Sequence, residues 1–598
     1  MHLRDSFNNL WYKIKKYIRT NRSIFEDKVT RLHFIPLTHK SEKYKIYKQQ
    51  FSFSVKSKED ILKYVCITLL MLMLYFLPFL AHKSGISEQE YQNTQHAAEI
   101  YQYFATGDTA VFHSQEFLSR HPQMSNNIAY SLCQWFHVEN VYLFNHYAAA
   151  LFAWLTLLLV VIFLYQISGW RAAFIGLLLL IGAPRYLGTA TSDLFDSSFA
   201  FFYLFGLTQI YHLCHALPVI KWRRLITLTL SIVGATVIQI AGLTLLLFMA
   251  VFLCSVFILI NPIKKMITTR YALNFGKLLL VIGGIYVVVY LCYFLSVSYL
   301  PDLSYFSITR AIQQINKGIP TCFELFDTQY VNVLHLPHNY LRKYLFITMS
   351  LLTLIGITLF FVFYKKLRTK IRLAYWIVLT MTAYPIWMAT KYALYGYNGA
   401  AIYLFLYPML ILMSAIGLVG LLTYIDDRYT NFVVYLMILL LSFMPIRHII
   451  LYPVGLSSYF NELSGGINNI GDKYSIDYNS QCNKELSNRF RKYIDQQKQP
   501  DQIVIGDSLP TKSVKWVVLT NGNEAMNYYF RNDTNRIDLR FIDLKNSDSI
   551  PEHHFLLIFA NDLPHQDISG AAWIKNEKML YAVNVEGKPI AAVFQRLK

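Results

Sequence analysis

The chain has 598 residues, of which 55% are hydrophobic, 16% aromatic and only 15% charged. A soluble protein carries about a quarter of its residues as Asp, Glu, Lys and Arg, so the composition excludes a soluble enzyme and points to a polytopic membrane protein. The net charge of +19 does not mark a nucleic-acid binder. The basic residues cluster in an N-terminal tail and in short stretches between apolar runs, which is how positive charge holds loops in the cytoplasm.

Residues 1–60 are polar and basic and are expected to form a cytoplasmic N-terminal segment. The first apolar run starts at Ile61, too late and too long for the core of a signal peptide. A helix needs ~20 apolar residues to cross a bilayer. Candidate spans are 61–81, 143–167, 171–187, 198–217, 224–240, 241–261, 276–298, 344–363, 373–390, 401–424 and 431–452, about eleven in all. The stretch 224–261 is too long for one span and is divided near Gln239. With that division, 221-KWRR-224, 261-NPIKKMITTR-270 and 365-KKLRTKIR-372 share the side of the N-terminal tail, and the positive-inside rule makes that side cytoplasmic. The loops 82–142, 188–197, 299–343 and 391–400 then face outward, as does everything after about residue 453.

Residues 453–598 change character. They are polar, with short apolar runs at 502–506, 515–519, 538–544 and 555–560, a helical pattern over 484–497, and alternation around Glu586-Gly587-Lys588 that predicts a hairpin. The reading is an all-α membrane domain over 61–452 followed by a small extracytoplasmic α/β domain over 453–598. Of the seven cysteines, Cys66, Cys214, Cys254 and Cys292 fall in apolar spans, whereas Cys133, Cys322 and Cys482 fall outside them, where a bridge is left open.

The chemistry concentrates in 184-PRYLGTATSDLFDSSFA-200, an acidic stretch between two spans. Ionisable residues at a membrane boundary are costly and are functional candidates by default. Asp193 and Asp196 lie there, and Glu88 and Glu90 directly follow the first span. Such carboxylates can activate an acceptor hydroxyl or, alternatively, hold a divalent cation; no fixed cofactor and no protein metal site is expected. A phosphate-bearing substrate needs cations as well. Arg185 precedes the acidic stretch, Arg342 and Lys343 close the later outer loop, and Lys391 opens 391-KYALYGYNG-399. His338 and Tyr397 complete the candidate substrate-binding set.

Several stretches together resemble one family, the bacterial glycosyltransferases of GT-C type that include protein O-mannosyltransferases and aminoarabinose transferases. The resemblance runs over most of residues 61–490. It is carried by 184-PRYLG-188, Asp196 and 199-FA-200, by 144-FNHYAAALFAWL-155, by 325-LFDTQYVNVLHLPHNYLRKYLFIT-348, by 397-YNGAAIYLFLYP-408 and by 459-YFNELSGGINNIGDKYSIDYNSQCNKELSN-488, in the family's order. It implies a GT-C fold and transfer of a sugar from a polyprenyl-phosphate-linked donor to a glycan, lipid or protein acceptor. It also implies the outer face of a bacterial inner membrane, with membrane lipid as the surrounding partner. By the same resemblance Glu90, Asp196 or Glu88 would be the base of an inverting reaction, and the cations would hold the phosphate.

The departures fall at the same site. Gln89-Glu90 stands where the family carries Asp-Glu, and Asp193-Leu194-Phe195 where it carries Asn-Pro-Lys. Gln239 stands in place of an Arg, Asn398 in place of an Asp, and Ala400-Ala401 where another Arg is expected. Two readings follow: a transferase for a different donor, or a catalytically decayed relative that binds a lipid-linked glycan or scaffolds an assembly.

Overall fold

The membrane helices start and stop where local chemistry dictates. In the computed structural model, helix α1 is Lys58–Lys83, followed by α2 (Glu88–Thr106), α3 (Met124–Trp135) and α4 (Val141–Ser168). Ser87 caps α2, its hydroxyl accepting from the Glu90 amide at 3.1 Å, and Gly107 ends the helix at φ 71°. Asn140 caps α4 in the same way through the Leu143 amide. Each such cap satisfies a donor that the first turn leaves open. Then come α5 (Trp170–Ile181), α6 (Pro184–Ser192), α7 (Leu194–Ala216), α8 (Trp222–Ile238) and α9 (Thr244–Ile260). Strands β1 (Phe323–Phe326) and β2 (Gln329–Asn332) form an antiparallel hairpin. Helices α10 (Tyr340–Thr348), α11 (Leu351–Val362), α12 (Thr369–Tyr392), α13 (Leu406–Tyr424) and α14 (Arg428–Leu451) complete the apolar region. The described residues are 58–108, 123–216, 221–260, much of 277–291, 323–332, 335–367, 369–392, 400–425, 428–497, 515–542, 552–560 and 577–597, with Leu563 and Ile568. The expected tail over residues 1–57, most of the span 276–298 and the run 502–506 lie outside them.

Among the described residues five helices are long and apolar enough to cross a membrane, or up to seven when two bent pairs are each counted as one span. The chain is thus a multi-pass membrane protein, and the expected count of eleven is not reached among these residues. Two corrections concern shape. The span 171–187 is broken by 71° between α5 and α6, and 344–363 by 115° between α10 and α11. Pro184 explains the first break: it has no amide hydrogen to continue α5, yet it suits the first turn of α6.

Helix α13 is the spine of the bundle, nearly all of it buried. Helix α14 is the opposite case, with Phe432, Leu436, Leu440 and Phe443 exposed; an apolar helix that exposes such a face has lipid as its neighbour. Helices α11 and α13 touch through their backbones, because a Cβ on Gly417 would stand 2.1 Å from the Gly356 carbonyl oxygen. Close approach through small residues is how helices associate in lipid, where no hydrophobic force draws them together.

The C-terminal part has mixed α/β structure. Helix α15 (Asn483–Asp495) and the short α16 (Met526–Phe530) accompany a sheet of β3 (Trp516–Thr520), β4 (Ile537–Phe541), β5 (Phe555–Phe559), β6 (Glu577–Val585) and β7 (Lys588–Arg596). The strand order is β4-β3-β5-β7-β6, with β3 parallel to β4 and β5, and β7 antiparallel to β5 and β6. The expected hairpin is present, turning through Glu586 and Gly587 at positive φ. The same turn fastens the sheet to the helices: Glu586 Oε1 lies 3.0 Å from His448 Nδ1 of α14, which holds the carboxyl below its ordinary range.

Candidate active site

The first acidic candidate is set by the start of α2. With Ser87 as cap, the buried face of the helix carries Glu90, Asn93, Thr94 and His96, polar side chains where a core-facing helix normally presents apolar ones. Facing them is His146, a polar interruption in the apolar helix α4. Its Nε2 lies 2.8 Å from Glu90 Oε2, and its Nδ1 lies 3.1 Å from the Ala81 carbonyl oxygen. A carbonyl only accepts, so Nδ1 carries a hydrogen. The second nitrogen then shares a proton with Glu90, and the buried pair is neutral overall. The other carboxylate oxygen, Glu90 Oε1, is buried with no hydrogen-bond partner among the described residues. Burial and the neighbouring Asp193 raise the Glu90 pKa, and His146 opposes the rise.

The second acidic candidate is not the exposed loop that 188–197 suggests. Residues 184–192 are helical and 183–200 are all buried. Asp193 occupies the junction of α6 and α7, where its Oδ1 accepts from the amides of Phe195 at 2.8 Å and Asp196 at 3.2 Å. It is the N-cap of α7. Burial still raises its pKa, against those two amides and His146. Asp196 is one turn on, in the first turn of α7, with no hydrogen bond to its carboxylate among the described residues.

Arg185 follows Pro184 in the first turn of α6 and is 1% exposed. Its Nε donates to the Tyr459 carbonyl at 3.1 Å. Its Nη1 and Nη2 are buried without a hydrogen-bond partner among the described residues. The guanidinium is packed against aromatic faces, 4.6 Å from the Phe460 ring centre, 5.2 Å from Tyr478 and 5.6 Å from Tyr344. Each such stack offsets about 1–2 kcal/mol when desolvated, so the three together offset much of the several kcal/mol that burying an ion costs, but they supply no hydrogen-bond acceptor. Buried polar atoms are nearly always paired, so two adjacent empty donors on a buried cation have the chemistry of an anion site.

The segment after α14 closes this region. Tyr478 and Asn479 hydrogen bond Thr189 of α6 at 3.0 Å, and the Gly85 amide donates to the Gln481 carbonyl at 3.0 Å. Asp477 organises the turn, accepting from Ser457 Oγ, the amides of Gln481 and Cys482, and Cys482 Sγ. Burial pushes its carboxyl up to about 6. Gly188 lets the segment approach, since a Cβ there would stand 2.8 Å from Leu456 Cβ.

The other candidates are dispersed. Glu88 accepts from Gln92 Nε2 at 2.8 Å and from the Glu524 amide at 3.0 Å, linking α2 to the C-terminal domain. Lys343 pairs with Asp327 at 2.7 Å, Arg342 is exposed, and Lys391 stacks on Trp387. His338 contacts the Thr390 carbonyl at 2.7 Å, and Tyr397 lies outside the described residues. Cys133 and Cys482 are free, and Cys322 lies outside the described residues. Among the described residues no group of three or more His, Cys, Asp or Glu gathers as a metal site. Sequence reasoning missed His146, Tyr478 and Glu324. His146 carries a signal, being a polar residue within an apolar span. Glu324 carries none; it is buried under the hydroxyls of Tyr340 and Tyr344 at 2.8 and 2.6 Å, and thereby fixes one wall of the Arg185 cage.

No family model matches the chain, and no curated protein matches its sequence. Solved structures do. ArnT from Cupriavidus metallidurans bound to undecaprenyl phosphate is 12% identical, with a TM-score of 0.44 over 89% of this chain and 97% of that one. Its apo state is 10% identical, with a TM-score of 0.44 over 88% and 97%. The oligosaccharyltransferase of Archaeoglobus fulgidus, in complex with zinc and sulfate, is 12% identical, with a TM-score of 0.43 over 82% and 68%. Likenesses of this degree decide neither fold family nor activity, which are left to the geometry of the site.

Proposed function

We propose that this chain is a membrane glycosyltransferase that moves a sugar from a polyprenyl-phosphate-linked donor to an acceptor at the outer face of a bacterial inner membrane. The observation that carries the reading is Arg185, a buried guanidinium caged by aromatic rings with two nitrogens unpaired. A phosphate would supply the missing charge and acceptors, and planar Arg suits it. The motif series that resembles the GT-C family supports the same donor class.

In this reading the acceptor hydroxyl attacks the anomeric carbon as the glycosyl–phosphate bond breaks. Glu90 Oε1, the oxygen not held by His146, takes the acceptor's proton. Arg185 neutralises the charge that builds on the leaving phosphate, in a dry site where such an interaction is strong. Asp196 faces the same region and is the second candidate base. Asp193 holds the turn that presents it.

One observation favours binding without turnover. Gln89, at the position where the family resemblance implies an Asp base, spends its amide on Asn93 at 3.0 Å within α2. A single experiment separates the readings: purified protein is given radiolabelled undecaprenyl-phosphate sugars and membrane extract as acceptor source. Transfer that is lost in Arg185→Met and in Glu90→Gln supports the transferase. Tight undecaprenyl phosphate binding without transfer of any sugar supports the binding relative. Absence of both sinks the proposal.

A further inference from the structure

A cavity lies one helical turn beyond Glu90. It has a volume of about 230 Å³ and is lined by Thr94 and Gln95 of α2, Tyr130 of α3, Glu139, Tyr142 of α4 and Tyr528 of the C-terminal α16. By the volume that liquid water occupies it would hold roughly eight molecules, the scale of a single sugar ring. Its walls are aromatic. Tyr142 and Tyr528 meet edge to face with centroids 4.6 Å apart, and Arg531 stacks on Tyr528 at 3.7 Å. Its rim is polar and exposed, at Gln95 and Glu139.

Behind the wall stand acceptors that lack donors. Thr94 Oγ1 receives Asn145 Nδ2 at 3.5 Å, while Asn145 Oδ1 is buried without a partner among the described residues. One turn earlier on α2, Glu90 Oε1 is likewise buried and unpartnered. The lining itself offers the polar side chains of Thr94, Gln95 and Glu139, which suit a ligand rich in hydroxyl groups. Tyrosine faces ask for one that also presents a flat array of C–H bonds. A few placed polar groups in an aromatic cleft are the general form of a small-molecule site, and a pyranose ring meets both demands.

We infer that this cavity is an acceptor carbohydrate subsite, taking a neutral hexopyranose against the touching rings of Tyr142 and Tyr528 with one hydroxyl directed toward Glu90. The ring is the acceptor's and not the donor's. A donor sugar is bonded directly to the phosphate, and this cavity shares no residue with the Arg185 cage of Tyr344, Phe460 and Tyr478. The inference rests on the transferase reading for the word acceptor. The sugar site itself stands on the cavity. It also gives the C-terminal domain a role, since Tyr528 closes one side.

The test uses the full chain in nanodiscs, with saturation-transfer NMR and titration of the methyl glycosides of glucose, galactose and mannose, with and without saturating undecaprenyl phosphate. At least one glycoside is expected to bind in the millimolar range and to remain bound when undecaprenyl phosphate is present. Tyr528→Ala and Tyr130→Ala should each weaken it by about tenfold or more while leaving undecaprenyl phosphate affinity unchanged, and Arg185→Met should do the reverse. If none of the glycosides binds, or if both tyrosine variants bind them like the wild type, the subsite is wrong. Displacement of the glycoside by undecaprenyl phosphate would overturn its assignment to the acceptor. Glycoside binding without any undecaprenyl phosphate binding would overturn the donor reading and leave the sugar site in place.

Discussion

Glu90 and His146 share one proton across 2.8 Å, with the far nitrogen of His146 anchored on the Ala81 carbonyl. The imidazole is what keeps Glu90 ionisable in a buried place: burial raises the carboxyl pKa and His146 is the largest influence opposing it. Removing the ring must therefore move the Glu90 pKa upward. His146→Ala is expected to shift the acidic limb of the transfer-rate profile to higher pH, because the base form is lost as pH falls through a now higher pKa. A pH–rate profile of wild type and variant checks this, and an unshifted acidic limb would remove Glu90 from the role of base.

Arg185 sets stability against function. A buried cation without a counter-ion is destabilising, and replacing such a charge by an apolar side chain of similar volume is often neutral or stabilising by ~1–4 kcal/mol. Arg185→Met is therefore expected to unfold at the same or a higher temperature than wild type while losing about tenfold or more in undecaprenyl phosphate affinity. Thermal unfolding and lipid-phosphate binding on one preparation test both halves. A large fall in melting temperature would show that the guanidinium serves only to hold the Tyr459 turn.

The two aspartates of the α6–α7 junction should separate. Asp193→Ala removes the N-cap of α7 and is expected to cost about 1 kcal/mol, with Asp193→Asn restoring most of it because the amide oxygen still accepts. Asp196→Asn touches no hydrogen bond among the described residues, so stability should hold while transfer falls. Denaturation and turnover measured together decide this, and equal effects of Asp193→Asn and Asp196→Asn on both would contradict it.

Asp477 gives the fold an unusual pH dependence. Its folded-state carboxyl is raised to about 6 from an ordinary 3.8. A raised pKa means that the folded state binds the proton more tightly than the unfolded chain. Its stabilising contribution is thus full below about pH 4 and is lost as pH rises through about 6, a difference on the order of 3 kcal/mol. Asp477→Asn, which cannot titrate, should flatten that limb in a melting-temperature series between pH 4 and 7.

Gly417 and Gly356 hold α13 against α11 with no room for a side chain. Gly417→Leu is expected to destabilise by at least ~1–3 kcal/mol through overpacking. Gly283→Ala, in the helical stretch 281–285 with no described atom within 4 Å of the added carbon, should be neutral or mildly stabilising by helix propensity. Detergent unfolding of both variants measures the contrast.

What the sequence discloses follows from how local each cause is. Apolar length reveals α1, α4, α12, α13 and α14, because burial in lipid needs only composition. Alternation and turn chemistry reveal the β6–β7 hairpin for the same reason. The α5–α6 break escapes a reading by hydrophobicity, although Gly182 and Pro184 mark it. The burial of 188–197 is not legible at all: Thr189 and Ser192 look like loop residues until Tyr478 and Asn479, nearly three hundred positions later, supply their hydrogen bonds. Arg185 and Glu90 can be picked out as costly charges. Their states, one unpaired and one shared with a histidine, depend on partners from other helices.

The distance along the chain between Arg185 and the Tyr459 carbonyl that receives it is 274 residues. During synthesis, α6 enters the membrane long before its companion segment exists. In that interval the guanidinium has neither its carbonyl nor the rings of Phe460 and Tyr478, and such long-range contacts form late. The cage around Arg185 therefore closes only after α14 has been made, by the stretch that also leads into α15. A ribosome-stalled chain ending before residue 456 should hold its helices in the bilayer with the cage still open, and the cage closes only once Tyr459, Phe460 and Tyr478 have folded back against α6.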